Sequence, residues 1–516
     1  MRKIIFIALT GILISLFSCR EDFSFEPSTG QLEFSKQTVY LDTVFKNIGS
    51  STYQLKVYNR SNKDIAIPVV QLGKGLNSKY RITVDGIQGN DNKIFNNVEL
   101  LAKDSLFIFI ETTADVTDTN LDDFLYTDYI QFDTGEKLQK VDLVTLVKDA
   151  YFIYPRRNND IYETVPIGIN EDNTITMIKG RDLVGDHPEN GNEFIWTSEK
   201  PYVVYGYASV PANTTLVVDA GARVHFHANS GLIVQENATL NIIGSSSATA
   251  DLENEVIFEG DRLEPFFDNV PGQWGTIYLR QGSKDHTINH LTLKNANVGL
   301  LIDNNVGTAT ITNTQIYDCS NVGIYARFAK IEGYNIVINA AGQAALACTL
   351  GGNYNFKHCT FNNNWPSTKQ VAVLIDNYFT NSSNTPVAFD LTEATFSNCV
   401  IYGSNQVEML LNRNSTRLFN YQFNNCLIKF QNDRLANDPL YDFNSARYSQ
   451  CLIAKSSTPF DPKFLNVAKN KLNINNTSAA FEKGNPVYLI PNDILGFPRN
   501  TTLPDIGAYT NRPFPE

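Results

Sequence analysis

The chain of 516 residues carries 54 acidic and 42 basic residues, a formal net charge of −12, with no concentrated Lys/Arg patch. This balance argues against nucleic acid as a partner, because a phosphate backbone attracts proteins through clustered cations. The length exceeds what one hydrophobic core usually organises, so at least two domains are expected. Strand-forming residues and Asn dominate, and helical periodicity is nearly absent, which predicts an all-β protein.

The first residues have the pattern of an export signal. Arg2-Lys3 precede an apolar run over residues 4–18 that ends at Cys19. The run is shorter than the roughly 20 residues that a membrane span needs, so we interpret residues 1–18 as a signal peptide. An ordinary secretory signal that happens to contain a cysteine is the alternative.

Leu16-Phe17-Ser18-Cys19 resembles the lipobox of bacterial lipoproteins. The resemblance implies that Cys19 becomes the lipidated first residue and tethers the chain to the outer membrane. Glu21-Asp22 is similar to the surface-export signal of Bacteroidetes lipoproteins, which implies exposure at the cell surface. A solvated linker explains the same two acids.

A linker over residues 19–32 is expected to lead into a β-sandwich over residues 33–148. Short alternating strand patterns separated by Asn, Gly and Asp turns support this prediction. The segment 38–67 resembles the immunoglobulin-like modules that precede larger domains in such lipoproteins. A spacer is the role that the resemblance implies.

Residues 149–200 are rich in Asn, Asp, Gly and Pro and are expected to connect to the next domain and cover its first edge. Residues 201–450 then repeat a pattern of short strand, Asn-rich turn and second strand. The equivalent positions Leu293, Ile316, Ile338, Phe361, Ile401 and Ile428 are separated by 23, 22, 23, 40 and 27 residues. A period in this range predicts a solenoid, here a right-handed parallel β-helix with three strands per coil.

Three cysteines occupy one equivalent position in the repeat. Cys359, Cys399 and Cys426 precede the pairs Thr-Phe, Val-Ile and Leu-Ile, respectively. We predict that they stack inside the coils as reduced thiols, because buried cysteine behaves as a small hydrophobe. A metal site is the alternative, but it needs tetrahedral convergence that this spacing does not offer.

The longest step in the repeat contains residues 376–390, which include Tyr378 and Phe379. We interpret this stretch as a loop ejected from the coil, where recognition often resides. Residues 451–516 are expected to cap the last coil. Their PDIGAY sequence (504–509) resembles the terminal module of many β-helix surface proteins, which implies a structural role.

No catalytic motif is present, and no catalytic residue is assigned. His225 and His227 share one face of a predicted strand, but no third metal ligand is evident. Exposed polar positions on a strand explain both histidines, so no metal site is assigned.

The densest polar constellation lies in the segment 260–279. It consists of Asp261, Arg262, Glu264, Asp268 and Trp274. Carboxylates could hold Ca²⁺ and the indole could stack on a sugar ring, which makes these residues candidate glycan or ion contacts. The alternative is a solvated insertion that Phe266, Phe267 and Trp274 pack onto the coil. Trp365 is a second residue on which a sugar ring could stack, and packing of a solvated segment is again the alternative. No other cofactor is expected.

The order of lipobox, immunoglobulin-like module, β-helix and PDIGAY terminus resembles the right-handed parallel β-helix repeat lipoproteins of Bacteroidetes. The leading hypothesis is a non-catalytic surface binding or adhesion protein for polysaccharide or glycan. A lyase or glycoside hydrolase acting on acidic polysaccharide is the second, and a structural spacer in an envelope assembly is the third. An enzyme is expected to bring acids together with Arg or Lys on adjacent coils, whereas a binder needs aromatic and amide groups.

Overall fold

A computed structural model describes residues 24–87, 89–119, 124–169, 174–432, 435–455 and 460–515. The chain divides into two compact units, residues 1–149 and 150–516. Every helix in the described ranges is a single 3-10 turn, and none has the length and apolar character to cross a membrane. The prediction of an all-β protein is therefore confirmed. Cys19 and Glu21-Asp22 lie outside the described residues.

The N-terminal unit contains two sheets that share one apolar core. The strands of the six-stranded sheet are Glu26–Pro27, Thr38–Phe45, Ile65–Leu72, Ile94–Leu100, Leu125–Phe132 and Gln139–Lys148. The strands of the four-stranded sheet are Glu33–Phe34, Tyr53–Tyr58, Tyr80–Val84 and Ser105–Thr112. The 3-10 turns are Gly75–Asn77, Val116–Asp118 and Gly135–Lys137. Alternate residues such as Leu55 and Val57 are fully buried, as expected for strands with one covered face.

The described end of the predicted linker is part of this unit. Glu26–Pro27 pairs in parallel with the strand Ile65–Leu72, and Ser28 donates a hydrogen bond of 2.6 Å to Asp133. Residues 24–32 are therefore not a free linker where the structure describes them.

The C-terminal unit is dominated by two long sheets whose strands pair in parallel from one repeat to the next. The 19-stranded sheet, called here the long sheet, holds two series of strands. The first series is Ile195–Trp196, Thr215–Asp219, Thr239–Ile243, Thr287–Asn289, Gly352–Lys357, Leu391–Ser397, Gln422–Asn424 and Tyr448–Ser449. The second is Tyr151–Ile153, Tyr202–Val204, Arg223–Phe226, Val256–Gly260, Leu291–Lys294, Thr360–Asn363, Val400–Gly403, Leu427–Lys429 and Leu452–Ala454. Ala309–Cys319 and Lys330–Ala341 are long enough to belong to both.

The ten-stranded sheet supplies the third series. Its strands are Thr164–Ile169, Ile175–Asp182, Tyr207–Val210, Gly231–Val234, Ile277–Leu279, Val298–Asp303, Val322–Arg327, Ala344–Thr349, Val371–Asp376 and Met409–Asn412. Two hairpins, Arg157–Asn158 with Ile161–Tyr162 and Tyr378–Thr380 with Pro386–Ala388, lie outside both sheets. The 3-10 turns are Pro265–Phe267, Leu435–Asn437, Pro439–Tyr441, Val467–Lys469 and Pro486–Tyr488. One strand of each series makes up one repeat, and each level of paired strands is called a rung below.

The register of the second series matches the repeat read from the sequence. The structure pairs Leu293, Ile316, Ile338, Phe361, Ile401 and Ile428 in succession and continues to Ile453. All but Ile453 are fully buried in the main apolar core. The predicted equivalence of these positions is therefore confirmed.

The cysteines form a column inside the same series. Cys359, Cys399 and Cys426 precede paired residues on successive strands, as predicted, and Cys451 adds a fourth rung. All four thiols are free, and the first three are completely buried. Burial raises the pKa of the Cys399 and Cys426 thiols far above the usual value, so both stay protonated.

The connector predicted over residues 149–200 contributes strands to both sheets. Ile175–Asp182 pairs in parallel with Tyr207–Val210 and in antiparallel with Thr164–Ile169. Trp196 is fully buried and stacks on Tyr202 with 5.1 Å between ring centroids. The connector thus extends the first edge of the ten-stranded sheet.

Residues 460–515 lie along the outer face of the long sheet, whereas the sequence predicts a cap over the last coil. Asn470 donates to Asp318 over 2.8 Å, and Asn335 donates to the carbonyl of Asn492 over 2.9 Å. A second apolar core joins the two parts, with Tyr317, Val337, Val400, Tyr402 and Leu427 from the sheet and Leu472, Ile474, Ile494, Ile506 and Tyr509 from this segment, called here the strap. Amide side chains at scattered rungs hold the strap along this face.

The PDIGAY residues anchor this strap. Asp505 accepts hydrogen bonds from the amides of Glu482 and Asn511, both at 2.8 Å. Gly507 has a φ of +97°, and a Cβ there would meet Thr360 Oγ1 at 2.8 Å. Only glycine fits this approach, which agrees with the structural role expected for the motif.

Candidate functional site

The outer face of the ten-stranded sheet carries an ordered stripe of apolar side chains. Strand residues alternate between the two faces, so the neighbours of core residues such as Leu300 and Ile302 point outward. One outward column is Tyr278, Leu301, Tyr325, Ala347, Leu374 and Leu410, paired rung by rung. A parallel column is Val298, Val322, Ala344 and Val371. These two columns form the floor of what is called here the groove.

The groove has two adjoining concave parts. One part encloses about 840 Å³ and includes Tyr325, Arg327, Leu374, Tyr378 and Phe379 among its lining residues. The other encloses about 790 Å³ and is lined in part by Tyr278, Arg280, Leu301, Asp303 and Arg327. Arg327 lines both parts and therefore stands where they adjoin. Each part is in the volume range of ligand-binding clefts, which is roughly 300–1,000 Å³.

A polar column borders the floor on the side where the strands end. It consists of Asp303, Arg327, Thr349, Asp376 and Asn412 on successive strands. Arg327 Nη1 lies 3.6 Å from Asp303 Oδ2, and Tyr278 donates to the same oxygen over 3.3 Å. Burial raises the pKa of Asp376 to about 6, although hydrogen bonds from the amides of Leu350 and Tyr378 act in the opposite direction.

Amide side chains border the opposite side. Asn321 and Gln343 line the groove, and each precedes a strand of the floor. The amide of Gln343 donates to the carbonyl of Asn321 over 2.7 Å, which continues the rung spacing along this edge. The groove therefore combines an apolar floor with hydrogen-bonding groups on both sides.

The predicted ejected loop forms a hairpin beside the groove, on the side where the strands end. Tyr378–Thr380 pairs in antiparallel with Pro386–Ala388. Tyr378 and Phe379 line the groove, and Phe379 is 43% exposed. The structure therefore places these two candidate residues together. Trp365 is half-buried on the preceding connection, where Ser367 and Lys369 line the groove and Trp365 does not.

Glu408 is a buried acid next to the strand Met409–Asn412. The amide of Asn405 donates to Glu408 Oε1 over 2.6 Å. Glu408 Oε2 and Gln370 Oε1 are buried acceptors without a hydrogen-bond partner among the described residues. Burial raises the pKa of Glu408 to about 8, so the carboxyl is protonated at neutral pH and can supply the missing donor.

A second polar surface lies on the outer face of the long sheet. His225, Glu259 and Lys294 occupy three successive rungs. Lys294 Nζ is 2.8 Å from Glu259 Oε2, and His225 Nδ1 is 3.6 Å from Glu259 Oε1. Burial raises the pKa of Glu259, but His225 and Lys294 outweigh it and hold the pKa below its usual value. Together with His227 and Asp261, these residues are called here the ionic cluster.

His227 and Asp261 form the exposed edge of the ionic cluster. His227 Nδ1 lies 2.8 Å from Asp261 Oδ2, and the imidazole stacks on Tyr205 with 4.4 Å between ring centroids. The His227 side chain is 48% exposed. No described residue hydrogen-bonds His227 Nε2.

The other residues of the predicted constellation do not converge on one ligand. Arg262 pairs with Glu264 over 2.9 Å and lies 3.9 Å above the Phe267 ring. Asp268 is exposed and contributes its carbonyl to Asn295. Among the described residues, no three His, Cys, Asp or Glu side chains are placed to hold a metal ion. The carboxylates of the constellation are therefore dispersed.

Trp274 was a candidate glycan contact, and its position in the structure contradicts that role. Its side chain is 2% exposed and stacks on Phe226 with 4.3 Å between ring centroids and 15° between ring planes. Its indole nitrogen donates to the carbonyl of Lys294 over 2.8 Å. Neither ring face is open to a sugar, so Trp274 belongs to the core. Phe266, in contrast, is 82% exposed and does not pack the insertion onto the coil.

The main groove residues were missed in the sequence. Tyr278, Leu301 and Tyr325 are 23 and 24 residues apart, which is the period of the second series. The same period applied to the third series would have found them. The long connection over residues 261–276 hides the pattern by separating Tyr278 from the strand before it.

The sequence matches no protein-family model and no curated protein. Among solved structures, the ASH/PapD-like domain of human CEP192 is 12% identical with a TM-score of 0.15, over 25% of this chain and 92% of that domain. The periplasmic chaperone SfaE is 13% identical with a TM-score of 0.16, over 22% of this chain and 57% of that protein. The E. coli chaperone DraB is 12% identical with a TM-score of 0.16, over 27% of this chain and 61% of that protein.

Proposed function

We propose that this chain is a surface lipoprotein whose C-terminal unit, a right-handed parallel β-helix, binds polysaccharide or glycan without altering it. The three series of parallel strands and the confirmed register support the β-helix. The two-sheet N-terminal unit serves as an immunoglobulin-like spacer. Cys19 carries the lipid that tethers the protein to the outer membrane, with the remainder exposed outside.

The groove is the observation that carries the binding function. An apolar floor with two tyrosines offers stacking surface, and the amide and carboxylate borders offer hydrogen-bond partners for hydroxyl groups. The two carboxylates of the polar border, Asp303 and Asp376, are three rungs apart, roughly 14 Å. That separation exceeds the roughly 5–9.5 Å used by glycoside hydrolases, which favours binding over hydrolysis in the groove.

A glycan array probed with the chain from residue 24 onward tests the binding function. We expect binding that Leu374→Asp abolishes, because the substitution puts a charge on the apolar floor. Phe266→Ala serves as the matched control, since it removes an exposed aromatic side chain from a different face. An array without any bound glycan, at a protein concentration that detects weak binding, would contradict the proposal.

The tether is tested separately by metabolic labelling with a radioactive fatty acid. The wild-type chain is expected to take up label and Cys19→Ser to lose it. Protease treatment of intact cells is expected to remove the protein. Label that persists in Cys19→Ser would place the modification elsewhere.

Acid–base chemistry on acidic polysaccharide is the second candidate, favoured by one observation. The ionic cluster places His225, Glu259 and Lys294 on three successive rungs, which is the arrangement expected of an enzyme. Most of its charges are paired with one another, and the half-exposed His227 is the member that a ligand can reach. Incubation with a polyuronate panel, followed by absorbance of unsaturated products, tests this candidate. Activity that His227→Gln abolishes would replace binding by lyase chemistry.

A further inference from the structure

The groove has a repeat of its own, set by the strands beneath it. The column from Tyr278 to Leu410 contains six rungs, and neighbouring strands lie about 4.8 Å apart. The apolar floor therefore extends over about 24 Å perpendicular to the strands. A ligand that uses the whole floor must be elongated in this direction.

Two of the six rungs carry a tyrosine, and both lie near the same end of the floor. Tyr278 and Tyr325 flank Leu301, so they are two rungs, or about 9.6 Å, apart. A ring that stacks on Tyr278 and an equivalent ring that stacks on Tyr325 then leave room for one ring above Leu301. A linear chain whose alternate sugar rings present the same face satisfies this arrangement.

Other chain segments border the floor. Ile167 and Gly168 of the first edge strand line the concave part that contains Tyr278, at one end of the floor. The hairpin with Tyr378 and Phe379 follows the strand Val371–Asp376 and lines the concave part that contains Leu374 and Leu410. The floor is therefore bordered at the Tyr278 end and along the side where the strands end.

We propose that the groove binds a linear glycan that lies along the stacking direction of the strands, with alternate rings on Tyr278 and Tyr325. This assignment rests on the proposed glycan-binding function and adds to it the shape, direction and footprint of the ligand. Arg327 contacts the chain at the ring above Leu301 or next to it, because it lines both parts of the groove.

Calorimetric titration with oligosaccharides of increasing length, from disaccharide to decasaccharide, tests the footprint. One series derives from a neutral β-linked glucan and the other from a galacturonan, so that the arms distinguish a neutral from an anionic chain. We expect affinity to rise with length until the chain covers about 24 Å and then to stay constant.

Substitution of the tyrosines tests the register. Tyr278→Leu and Tyr325→Leu keep the floor apolar and remove one stacking surface each. Each is expected to weaken binding of a long oligosaccharide about tenfold, and the double variant about a hundredfold. Phe266→Leu is the control and is expected to bind as the wild type does. Unchanged thermal midpoints establish that the variants are folded.

The outcomes separate the two proposals. Glycan binding with no dependence on length, or without loss in either tyrosine variant, overturns the linear register and leaves the binding function standing. Absence of binding in both series, together with an empty glycan array, overturns both proposals. A plateau in affinity together with losses in both variants supports the register.

Discussion

The two polar surfaces of the C-terminal unit use the same stacked strands in opposite ways. In the groove, successive rungs repeat similar uncharged side chains, so a column such as Leu301, Tyr325 and Ala347 contains no charges that pair with one another. In the ionic cluster, successive rungs change from His225 to Glu259 to Lys294, and each side chain pairs with the next. Repeated uncharged side chains leave the surface of the groove available to a ligand. In the ionic cluster, the alternating charges pair with one another.

The segment 261–276 connects the long sheet to the ten-stranded sheet. Substitution of Trp274, near the end of this segment, tests whether the side chain belongs to the core or to a ligand site. Trp274→Ala is expected to destabilise the C-terminal unit by about 3–5 kcal/mol, because it leaves a cavity beside Phe226. Urea denaturation of the C-terminal unit measures the change. Trp365→Ala, which truncates a half-buried ring, is the matched control with a smaller expected loss. An unchanged denaturation midpoint with lost glycan binding would make Trp274 a ligand contact instead.

Glu408 sharpens the comparison, because it is a buried acid next to the strand Met409–Asn412. Among the described residues, its carboxylate has no ion pair as short as that of Glu259 with Lys294. Its pKa of about 8 exceeds its usual value of 4.5, so the folded chain binds the proton more tightly than the unfolded chain. Stability is therefore expected to fall as pH rises from about 4.5 to about 8. Glu408→Gln should remove this slope and stabilise the protein by about 1–3 kcal/mol at pH 8.

Thermal unfolding between pH 5 and pH 9 measures the slope. Glu332→Gln, which changes an exposed acid on the long sheet, is the control and should retain the wild-type slope. An identical slope in wild type and Glu408→Gln would show that the carboxyl is already ionised in the folded chain.

The ionic cluster should show the opposite pH dependence. The pKa of Glu259 is lowered, so its stabilising effect is present above the usual value of 4.5 and is lost as pH falls through the lower folded value. Glu259→Gln is expected to cost about 1–2 kcal/mol at neutral pH, discounted because both Glu259 and Lys294 are partly exposed. Glu259→Gln should also reduce the loss of stability that the wild-type protein shows as pH falls. Urea titrations at pH 7 and pH 3.5 check both effects, and a variant as stable as the wild type at pH 7 would contradict them.

Phe266 gives the smallest expected effect. The side chain is 82% exposed, so Phe266→Ala should change the stability by less than about 0.5 kcal/mol. The same denaturation experiment measures it. A loss as large as that of Trp274→Ala would mean that the 3-10 turn Pro265–Phe267 packs against a surface through this ring.

The sequence predicted the periodic parts of the fold and missed the irregular ones. Leu293 to Ile428 could be aligned because each repeat places one inward residue at the same register, and the cysteine column followed from the same alignment. Cys451 was missed although it follows Cys426 by 25 residues, and the same alignment continued by one step would have found it. The strap was misplaced because its contacts, such as Asn335 with Asn492, join residues that no local pattern relates.

The candidate site was predicted only at its rim. Tyr378 and Phe379 were recognised because the 40-residue step indicates an inserted loop. The aromatic residues of the floor were not, since an outward tyrosine on a strand has the same pattern as a core tyrosine until the register is known. Trp274 shows the reverse error, because a Trp among charged residues suggests a binding site although this one is enclosed.

The strap over residues 460–515 gives the stack a cooperativity that its strands alone lack. In a stack of repeats each rung contacts its neighbours, so opening can proceed from the free end one rung at a time. The strap reaches Asp318, Asn335 and Asn398, and the rungs that hold these residues include four strands of the second series. Opening the last rungs must then break bonds to rungs that are still closed, which turns progressive fraying into a single concerted event.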